Sequence, residues 1–242
     1  MGGAFFSDIA VTPKPAFSGL SGLDYVKTLV SDEQEYQNGT RLVARGDRLH
    51  KASVLLDGFV LRTMFADGRR FVVGVHVPGE FMDLHGFALK RLDHDLVASG
   101  PVRVASITHD RLDEIVRERP GTARSLWLET LLDAAIHRKW IQNLERLDAP
   151  RRIAHLYCEM RERLELIGRT VGRTLRTPFT QQDLADMCGV SAIHANRAVA
   201  KLRELALGEI RRGDLYVGDW ASLQSYARFD PGYLFGHKQA AC

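Results

Sequence analysis

The sequence predicts an α+β fold with an N-terminal antiparallel β-roll, one long connecting helix and a C-terminal winged helix-turn-helix. Between residues 36 and 107, short runs of β-branched and aromatic residues end at glycine turns, which is typical of an antiparallel jelly roll. Residues 122–147 contain no glycine or proline, and their apolar residues recur at helical spacing. Residues 180–217 then show two short helices, a glycine turn between them and a hairpin, which is the order of parts in a winged helix-turn-helix.

The overall composition is that of a globular protein without a membrane segment. The chain has 242 residues, of which 45% are hydrophobic and 26% charged, and its net charge is only +3. It contains no apolar run of about 18 residues and no leader-like N-terminus. Its cysteines, Cys158, Cys188 and Cys242, are far apart and form no CxxC pair. We therefore expect a cytoplasmic protein with no membrane partner.

Proline and glycine divide the chain into segments. Pro120-Gly121 separates the roll from the long helix, and Asp148-Ala149-Pro150 forms a hinge after it. The predicted segments are a flexible arm at 1–22, a sensor-like β-roll domain at 23–118, a long dimerisation helix at 119–147, a winged helix-turn-helix domain at 148–234 and a tail at 235–242.

The predicted strands of the roll are short, and each ends at a turn. A short helix is predicted at 23–30, and strands are predicted at 40–44, 52–56, 59–65, 70–77, 96–99 and 102–107. Asp57-Gly58 and Asp67-Gly68 predict hairpins, because an Asp-Gly pair suits a two-residue turn. Gly100-Pro101 predicts a turn between the last two strands.

A roll of this kind is also compatible with a cupin-like protein. The alternative function is therefore a small-molecule- or metal-binding sensor or enzyme with an accessory C-terminal domain. Its candidate metal ligands are His76, Glu80, His85 and His94, but the sequence has no His-x-His pair and no nucleophile beside a base. We expect no metal site, no catalytic residue and no enzymatic activity.

The long helix at 122–147 carries an apolar stripe broader than a strict coiled-coil seam. One interpretation is that it packs on its own roll. The other, which we favour, is a two-fold dimer contact, because such a contact would present two recognition helices to two half-sites. The candidate dimerisation residues are Leu128, Leu132, Ala135, Ile136, Trp140, Asn143 and Leu147.

The stretch 180–205 predicts two helices and the turn between them. Thr180 is a suitable N-cap, and Asp183 stands three residues later in a variant of the capping box. Gly189 allows the left-handed conformation that ends the first helix, and Ser191 caps the second. A recognition helix at 191–205 of this kind fits the major groove of DNA.

The hairpin that follows predicts a wing at 208–217. Residues 208–210 and 215–217 form its strands, and its tip carries Arg211 and Arg212. Basic side chains at this place suit contacts to DNA phosphates.

The order of roll, long helix, hinge and winged helix-turn-helix resembles the Crp/Fnr family of bacterial transcription regulators, over residues 36–234. In the roll the resemblance rests on Arg45-Gly46-Asp47, Leu56-Asp57-Gly58, Asp67-Gly68-Arg69 and Pro78-Gly79-Glu80-Phe81. In the C-terminal third it rests on residues 179–185 and 190–205, and on Asp219-Trp220 and Phe229-Asp230-Pro231. Residues 193–197 are similar to the V-H-V-N-R variant of the recognition helix.

The resemblance implies a homodimer that binds double-stranded DNA at a two-fold operator, with RNA polymerase as a further partner. Arg197 matches the family's recognition arginine, which could pair with a guanine edge. Ala192-Ile193 stands where the cyclic-AMP-type proteins have Arg-Glu, so a different operator is expected, with apolar contact to a thymine methyl. The candidate DNA-binding residues are Thr180, Gln181, Ser191, Ala192, Ile193, His194, Asn196, Arg197, Lys201, Arg211 and Arg212.

The effector site is where the chain departs from its cyclic-nucleotide-binding relatives. These follow Pro-Gly-Glu with a Gly-Glu pair for the ribose and an Arg-Ser-Ala segment for the phosphate, whereas this chain has Asp83-Leu84 and then Leu92-Asp93-His94-Asp95. Asp93 and Asp95 would repel a phosphate. We therefore predict no cofactor and no cyclic AMP binding, so the roll either takes another small molecule or serves as a dimer scaffold. The candidate ligand residues are Glu80, Asp83, Lys90 and Arg91.

Overall fold

The structure is a computed structural model that describes residues 30, 32–169 and 171–235. The predicted arm at 1–22, residues 23–29 of the predicted first helix, residues 236–242 of the tail and Cys242 lie outside the described residues. Within the described ranges, no helix combines the length and the apolar character needed to cross a bilayer.

The roll is one antiparallel sheet built around two long strands. Its strands are β1 (Asp32–Tyr36), β2 (Arg41–Val43), β3 (Lys51–Ala66), β4 (Arg69–His76) and β5 (Asp95–Thr108). They lie in the order β1-β5-β3-β4, with β2 also paired to β5. The hairpin predicted at Asp67-Gly68 is confirmed, because Ala66 pairs with Arg69 across it.

The hairpin predicted at Asp57-Gly58 is wrong, because β3 continues through both residues. The pairing of β3 with β5 shifts register on each side of Asp57, so the ladder is bulged here, with Gly58 opposite residues 100–102 of β5. Gly58 has φ +85°, and a Cβ there would lie 2.4 Å from the carbonyl oxygen of Pro101. Gly58 is therefore required here by a close approach between two strands and not by a hairpin turn.

The turn predicted at Gly100-Pro101 is wrong for the same reason, since β5 runs unbroken past it. Two elements of the roll were missed. Strand β1 is mostly charged, and the five-residue helix α1 (His85–Leu89) is too short to show a helical period.

Further helices follow β5 in the described part of the chain. They are α2 (His109–Glu118), α3 (Pro120–Arg146), α4 (Ala149–Leu166), α5 (Gln181–Cys188), α6 (Ala192–Glu204) and α7 (Trp220–Ala227), and a 3₁₀ turn follows at Pro231–Leu234. Pro120 occupies the first turn of α3, where its missing N–H costs nothing. Asp148 caps α4 by accepting a hydrogen bond from the Arg151 amide, so the predicted hinge lies between two helices.

The wing is confirmed, with a third strand added to it. Strands β7 (Glu209–Arg211) and β8 (Asp214–Tyr216) form the predicted hairpin, and β6 (Thr174–Leu175) pairs with β8. Two residues give too little pattern to predict β6, which lies in the connection between α4 and α5.

One hydrophobic cluster joins the roll to the C-terminal helices. Phe59 from β3 packs edge to face on Phe179, with ring centroids 5.2 Å apart, and Tyr157 is fully buried in the same cluster. Two further clusters lie within the roll, and α2 contributes Leu112 and Ile115 to one of them. The two domains therefore share a continuous core.

Much of the apolar stripe that we predicted to form a dimer contact packs instead on other parts of the same chain. Ala135 and Leu147 are buried, and Leu128 packs on the roll. Trp140 donates from Nε1 to the Glu159 carboxylate, 3.1 Å from each oxygen. Leu132, Ile136 and Asn143 are half-buried and line small open clefts against α4.

A different stripe of α3 is open to solvent. Trp127, Leu131, Ile141 and Leu144 are between 45% and 67% exposed. Trp127, Leu131, Ala134 and Ile141 form one seam. They are separated by four, three and seven residues, so the alternation of four and three is interrupted once, between Ala134 and Ile141. That spacing is typical of a two-stranded coiled coil.

Candidate nucleic-acid interface

The first helix of the candidate DNA-binding surface, α5, begins at a complete capping box. Thr180 accepts a hydrogen bond from the Asp183 amide, and Asp183 accepts one from the Thr180 amide at 2.9 Å. Two amide groups that a helix start leaves unpaired are thereby bonded. The predicted cap is confirmed, and it fixes where Thr180 and Gln181 lie on the surface.

The turn into α6 also forms as the sequence predicts. Gly189 takes the left-handed conformation with φ +63°, which ends α5 without a Cβ clash. Ser191 caps α6 by accepting from the His194 amide. The inner face of α6 is buried through Ala195, Ala198 and Leu202, so its outer face is turned to solvent.

The wing is held in place by its glycine. Arg212 and Gly213 have φ +53° and +95°, as a two-residue hairpin turn requires. A Cβ on Gly213 would lie 2.4 Å from the Thr177 carbonyl oxygen. The Gly213 carbonyl accepts 2.7 Å hydrogen bonds from the Tyr157 and Thr177 hydroxyls, so the core of the domain fixes the wing tip.

The predicted DNA-contact residues all lie exposed on α5, α6 and the wing. The exposed set is Thr180, Gln181, Ser191, Ala192, Ile193, His194, Asn196, Arg197, Lys201, Arg211 and Arg212. Ile193 is 66% exposed, which is unusual for an isoleucine and leaves an apolar group at the start of the recognition helix. The surface therefore offers apolar, amide and cationic groups together.

Hydrogen bonds within this surface orient several of its side chains. Gln181 donates to the Asn196 side-chain oxygen at 3.0 Å, which links the start of α5 to the middle of the recognition helix. The Ser191 hydroxyl lies 2.8 Å from Nδ1 of His194. Sequence reasoning did not reveal the first pair, because its members are 15 residues apart on different helices.

Acidic neighbours accompany two of the exposed cations. Lys201 lies 3.3 Å from Glu204, and Arg211 lies 2.6 Å from Glu209. Pairs this exposed contribute little to stability, so either cation can exchange its partner for a phosphate at low cost.

A separate pocket opens between the roll and α3, with a volume of about 500 Å³. Arg62 on β3 is buried there, and its Nη1 donates to both oxygens of Asp133 on α3, at 3.1 and 2.9 Å. His137, also on α3, lies 3.2 Å from the same nitrogen. An ion pair between buried Arg62 and partly exposed Asp133 thus joins the roll to the long helix.

The candidate ligand residues do not converge on this pocket. Arg91 lines it and donates to the Gly46 carbonyl, while Lys90 lies over the Phe87 ring. Asp83 is buried and accepts from the Ser53 amide at 2.6 Å. Burial raises the pKa of Asp83 to about 7.

Glu80 takes part in a different, structural network. Arg163 on α4 donates to both of its oxygens, at 2.8 and 2.6 Å, and to the Val75 carbonyl. Although burial opposes it, the Arg163 guanidinium lowers the pKa of Glu80 to about 2. Burial, with a smaller contribution from Arg62, lowers the pKa of neighbouring His76 to about 4.

The candidate metal ligands fall into two separate pairs. His85 and His94 line the pocket beside α3, whereas His76 and Glu80 line the cleft beside α4. Across residues 30, 32–169 and 171–235, no three His, Cys, Asp or Glu side chains are grouped so that they could hold a metal ion. Cys158 and Cys188 are buried, and burial raises the pKa of each thiol to about 12.

Comparisons with known proteins agree with this architecture. Residues 151–226 match the Crp-like helix-turn-helix domain, and residues 33–119 match the cyclic nucleotide-binding domain. The chain is 30% identical over 177 residues to the nitrogen fixation regulation protein FixK of Rhizobium meliloti, covering 73% of this chain and 77% of FixK. It is 27% identical over 176 residues to the transcriptional activator protein FnrL of Cereibacter sphaeroides, covering 70% of this chain and 69% of FnrL.

Among solved structures, FixK2 from Bradyrhizobium japonicum superposes with a TM-score of 0.74 at 20% identity, covering 82% of this chain and 98% of FixK2. Fold, exposed recognition helix and relatives together define the class of this protein, which is a DNA-binding transcription regulator. Within that class, the chain belongs to the Crp/Fnr family.

Proposed function

We propose that the regulator acts as a homodimer that places two α6 helices on the half-sites of a two-fold operator. The observation that carries the proposal is the exposed seam of α3, where Trp127, Leu131 and Ile141 lie in solvent although they are large and apolar. A second copy of the same helix would bury them in a parallel pair. The dimer contact thus moves from the stripe predicted by sequence to the neighbouring one.

Within each half-site, α6 reads bases and the surrounding residues hold phosphates. Arg197 presents a guanidinium that suits the two acceptors of a guanine, and Ile193 presents a methyl group to a thymine. Thr180 and Gln181 at the start of α5, with Arg211 and Arg212 on the wing, contact the backbone. Ser191, Ala192, His194, Asn196 and Lys201 complete the contact surface. RNA polymerase is the further partner that membership of the family suggests.

Genome-wide mapping of the DNA bound by the full chain tests this function. We expect a shared motif with two-fold symmetry, whose half-sites face the same side of the duplex. Bound regions that share no motif, or a gel shift that shows no sequence preference across a salt series, would contradict it.

We also propose that cyclic AMP is not the effector. In the part of the chain that the structure describes, the arginines lining the pocket are Arg62 and Arg91, and each already donates to an acceptor of the protein. Asp93 adds a carboxylate to the rim, and Asp95 accepts from the Arg45 amide. A cyclic phosphate would meet negative charge and would have to displace Asp133. Calorimetry with cyclic AMP should show no binding, and micromolar affinity would refute the proposal.

A further inference from the structure

One side chain of the roll reaches the helix at which the DNA-facing surface begins. Arg70 on β4 donates from Nη2 to Asp183 at 2.6 Å and from Nε to Asp186 at 2.7 Å. Both carboxylates are on α5, and their side chains are only 10% and 8% exposed. Because both carboxylates are shielded from water, removing Arg70 would leave two poorly solvated charges without their partner, which costs more than losing a surface ion pair.

Asp183 has two roles, one for each oxygen. Oδ2 closes the capping box with Thr180, and Oδ1 accepts from Arg70. The Asp183 carboxylate thus connects the Arg70 guanidinium to the start of α5, where Thr180 and Gln181 are the proposed phosphate contacts. The Arg70 clamp, meaning Arg70 with Asp183 and Asp186, ties the orientation of α5 to the β3–β4 hairpin.

Other contacts hold the same two bodies together at different points. Phe59 packs on Phe179, and a Cβ on Gly100 would meet Pro178 at 2.9 Å. Arg169 donates to Asp57 and to the Leu56 carbonyl, both at 2.9 Å. None of these contacts covers the exposed faces of α6 and the wing, which stay open to solvent.

We infer that Arg70 is a positioning residue for DNA binding, which sets the angle of each recognition helix relative to its roll and so the operator spacing that the dimer accepts. This inference rests on the proposed homodimer. One base pair added between half-sites turns the second half-site by about 35° and moves it by about 3.4 Å, since a turn holds 10–10.5 base pairs over 34–36 Å. A winged helix-turn-helix domain that the Arg70 clamp holds to its roll cannot follow that movement, whereas a domain without the clamp can.

A merely structural role for Arg70 would give a different result. Loss of stability would weaken binding to all operators by the same factor. Loss of positioning weakens binding to the natural spacing and leaves the altered spacings less affected. The ratio of affinities between spacings therefore separates the two roles, and base preference within a half-site serves as an internal reference.

The experiment measures the affinity of the full chain for its mapped operator with the natural spacer and with one base pair added or removed. Coupling between sites in proteins commonly changes affinities by about 5- to 150-fold. We expect the spacer penalty to fall at least about fivefold in Arg70→Ala, while the penalty for a base change under α6 stays the same. Arg70→Lys keeps one ion pair and should restore part of the discrimination.

The matched control is Arg69→Ala, on the same hairpin, because Arg69 lies over the Phe71 ring. It should keep the full spacer penalty. An unchanged spacer penalty in Arg70→Ala, or an equal fall in Arg69→Ala, would overturn the inference. If the unaltered chain shows no spacer penalty at all, the proposed two-fold operator fails with it. A penalty present in the unaltered chain and kept in Arg70→Ala refutes only the clamp.

Discussion

At the residue scale, two exposed arginines in the DNA-facing surface have different neighbours. Arg197 is exposed in the middle of α6, the proposed base-reading helix, whereas Arg211 lies on the wing beside Glu209. In the proposed function, the first distinguishes bases and the second neutralises a phosphate. The two side chains carry the same charge, so their geometry decides their roles.

Arg197→Ala should therefore relax discrimination at one base position of each half-site, with a loss of about 1–3 kcal/mol for the preferred base. Arg211→Ala should weaken binding to every sequence alike and lower the salt slope by about one. Titrations of a set of operator variants at several salt concentrations measure both effects. Indistinguishable profiles for the two variants would show that the assigned roles are wrong.

His155 is a buried histidine that is not part of the DNA-facing surface. It packs against Phe229 with ring centroids 5.1 Å apart, and its Nε2 has no hydrogen-bond partner among the described residues. Burial, with a smaller contribution from Lys139, lowers its pKa to about 3. Because unfolding restores an ordinary pKa, the unfolded chain binds an extra proton between about pH 6.5 and 3. His155 therefore contributes stability that is present above about pH 6.5 and is lost as the pH falls.

Between pH 7 and pH 5, the free energy of unfolding should fall by about 2 kcal/mol less in His155→Phe than in the unaltered chain. An aromatic ring of similar size keeps the packing on Phe229. Urea unfolding at the two pH values measures the difference. The same pH dependence in both proteins would show that His155 is protonated as readily in the folded state as in the unfolded one.

Capping and turn residues were predictable because their chemistry is local. Thr180, Gly189 and Ser191 each act on a neighbour within a few residues, and all three form the ends that the sequence indicates. Asp57-Gly58 misled because the same pair suits a hairpin turn and a bulge, and only the partner strand decides between them. Arg70 gave no signal, because its partners lie more than 110 residues away.

At the element scale, α3 separates two apolar stripes that the sequence shows as one broad band. The roll and α4 cover the stripe that includes Ala135 and Trp140, and the seam with Leu131 and Ile141 stays open. Sequence periodicity could not tell the two apart, because they are one residue out of phase. The direction from which the chain's own domains approach α3 decides which stripe is available to a second copy.

Leu131→Glu combined with Ile141→Glu should dissociate the proposed dimer, because four carboxylates would face each other along the seam. In sedimentation equilibrium, the mass should fall from twice 27.1 kDa to 27.1 kDa, with helical content unchanged. Leu131→Met with Ile141→Leu is the matched control and should remain dimeric. A dimer that survives both glutamates would place the contact elsewhere.

At the scale of the whole molecule, the order of domains was predictable and their mutual docking was not. Periodicity and turns indicated roll, helix, hinge and wing, since each is a property of a contiguous stretch. The ion pair of Arg62 with Asp133 and the clamp of Arg70 join parts distant in sequence. The first pair ties the roll to α3, and the second ties it to α5.

The central claim is that two copies of α6 read two related half-sites together. The direct test is the affinity of the full chain for its operator when one half-site is scrambled and the duplex length is kept. We predict a loss of at least about a hundredfold, with two chains per intact operator, since each mismatched base pair costs about 1–3 kcal/mol. Equal affinity for the intact and the half-scrambled duplex would contradict the account.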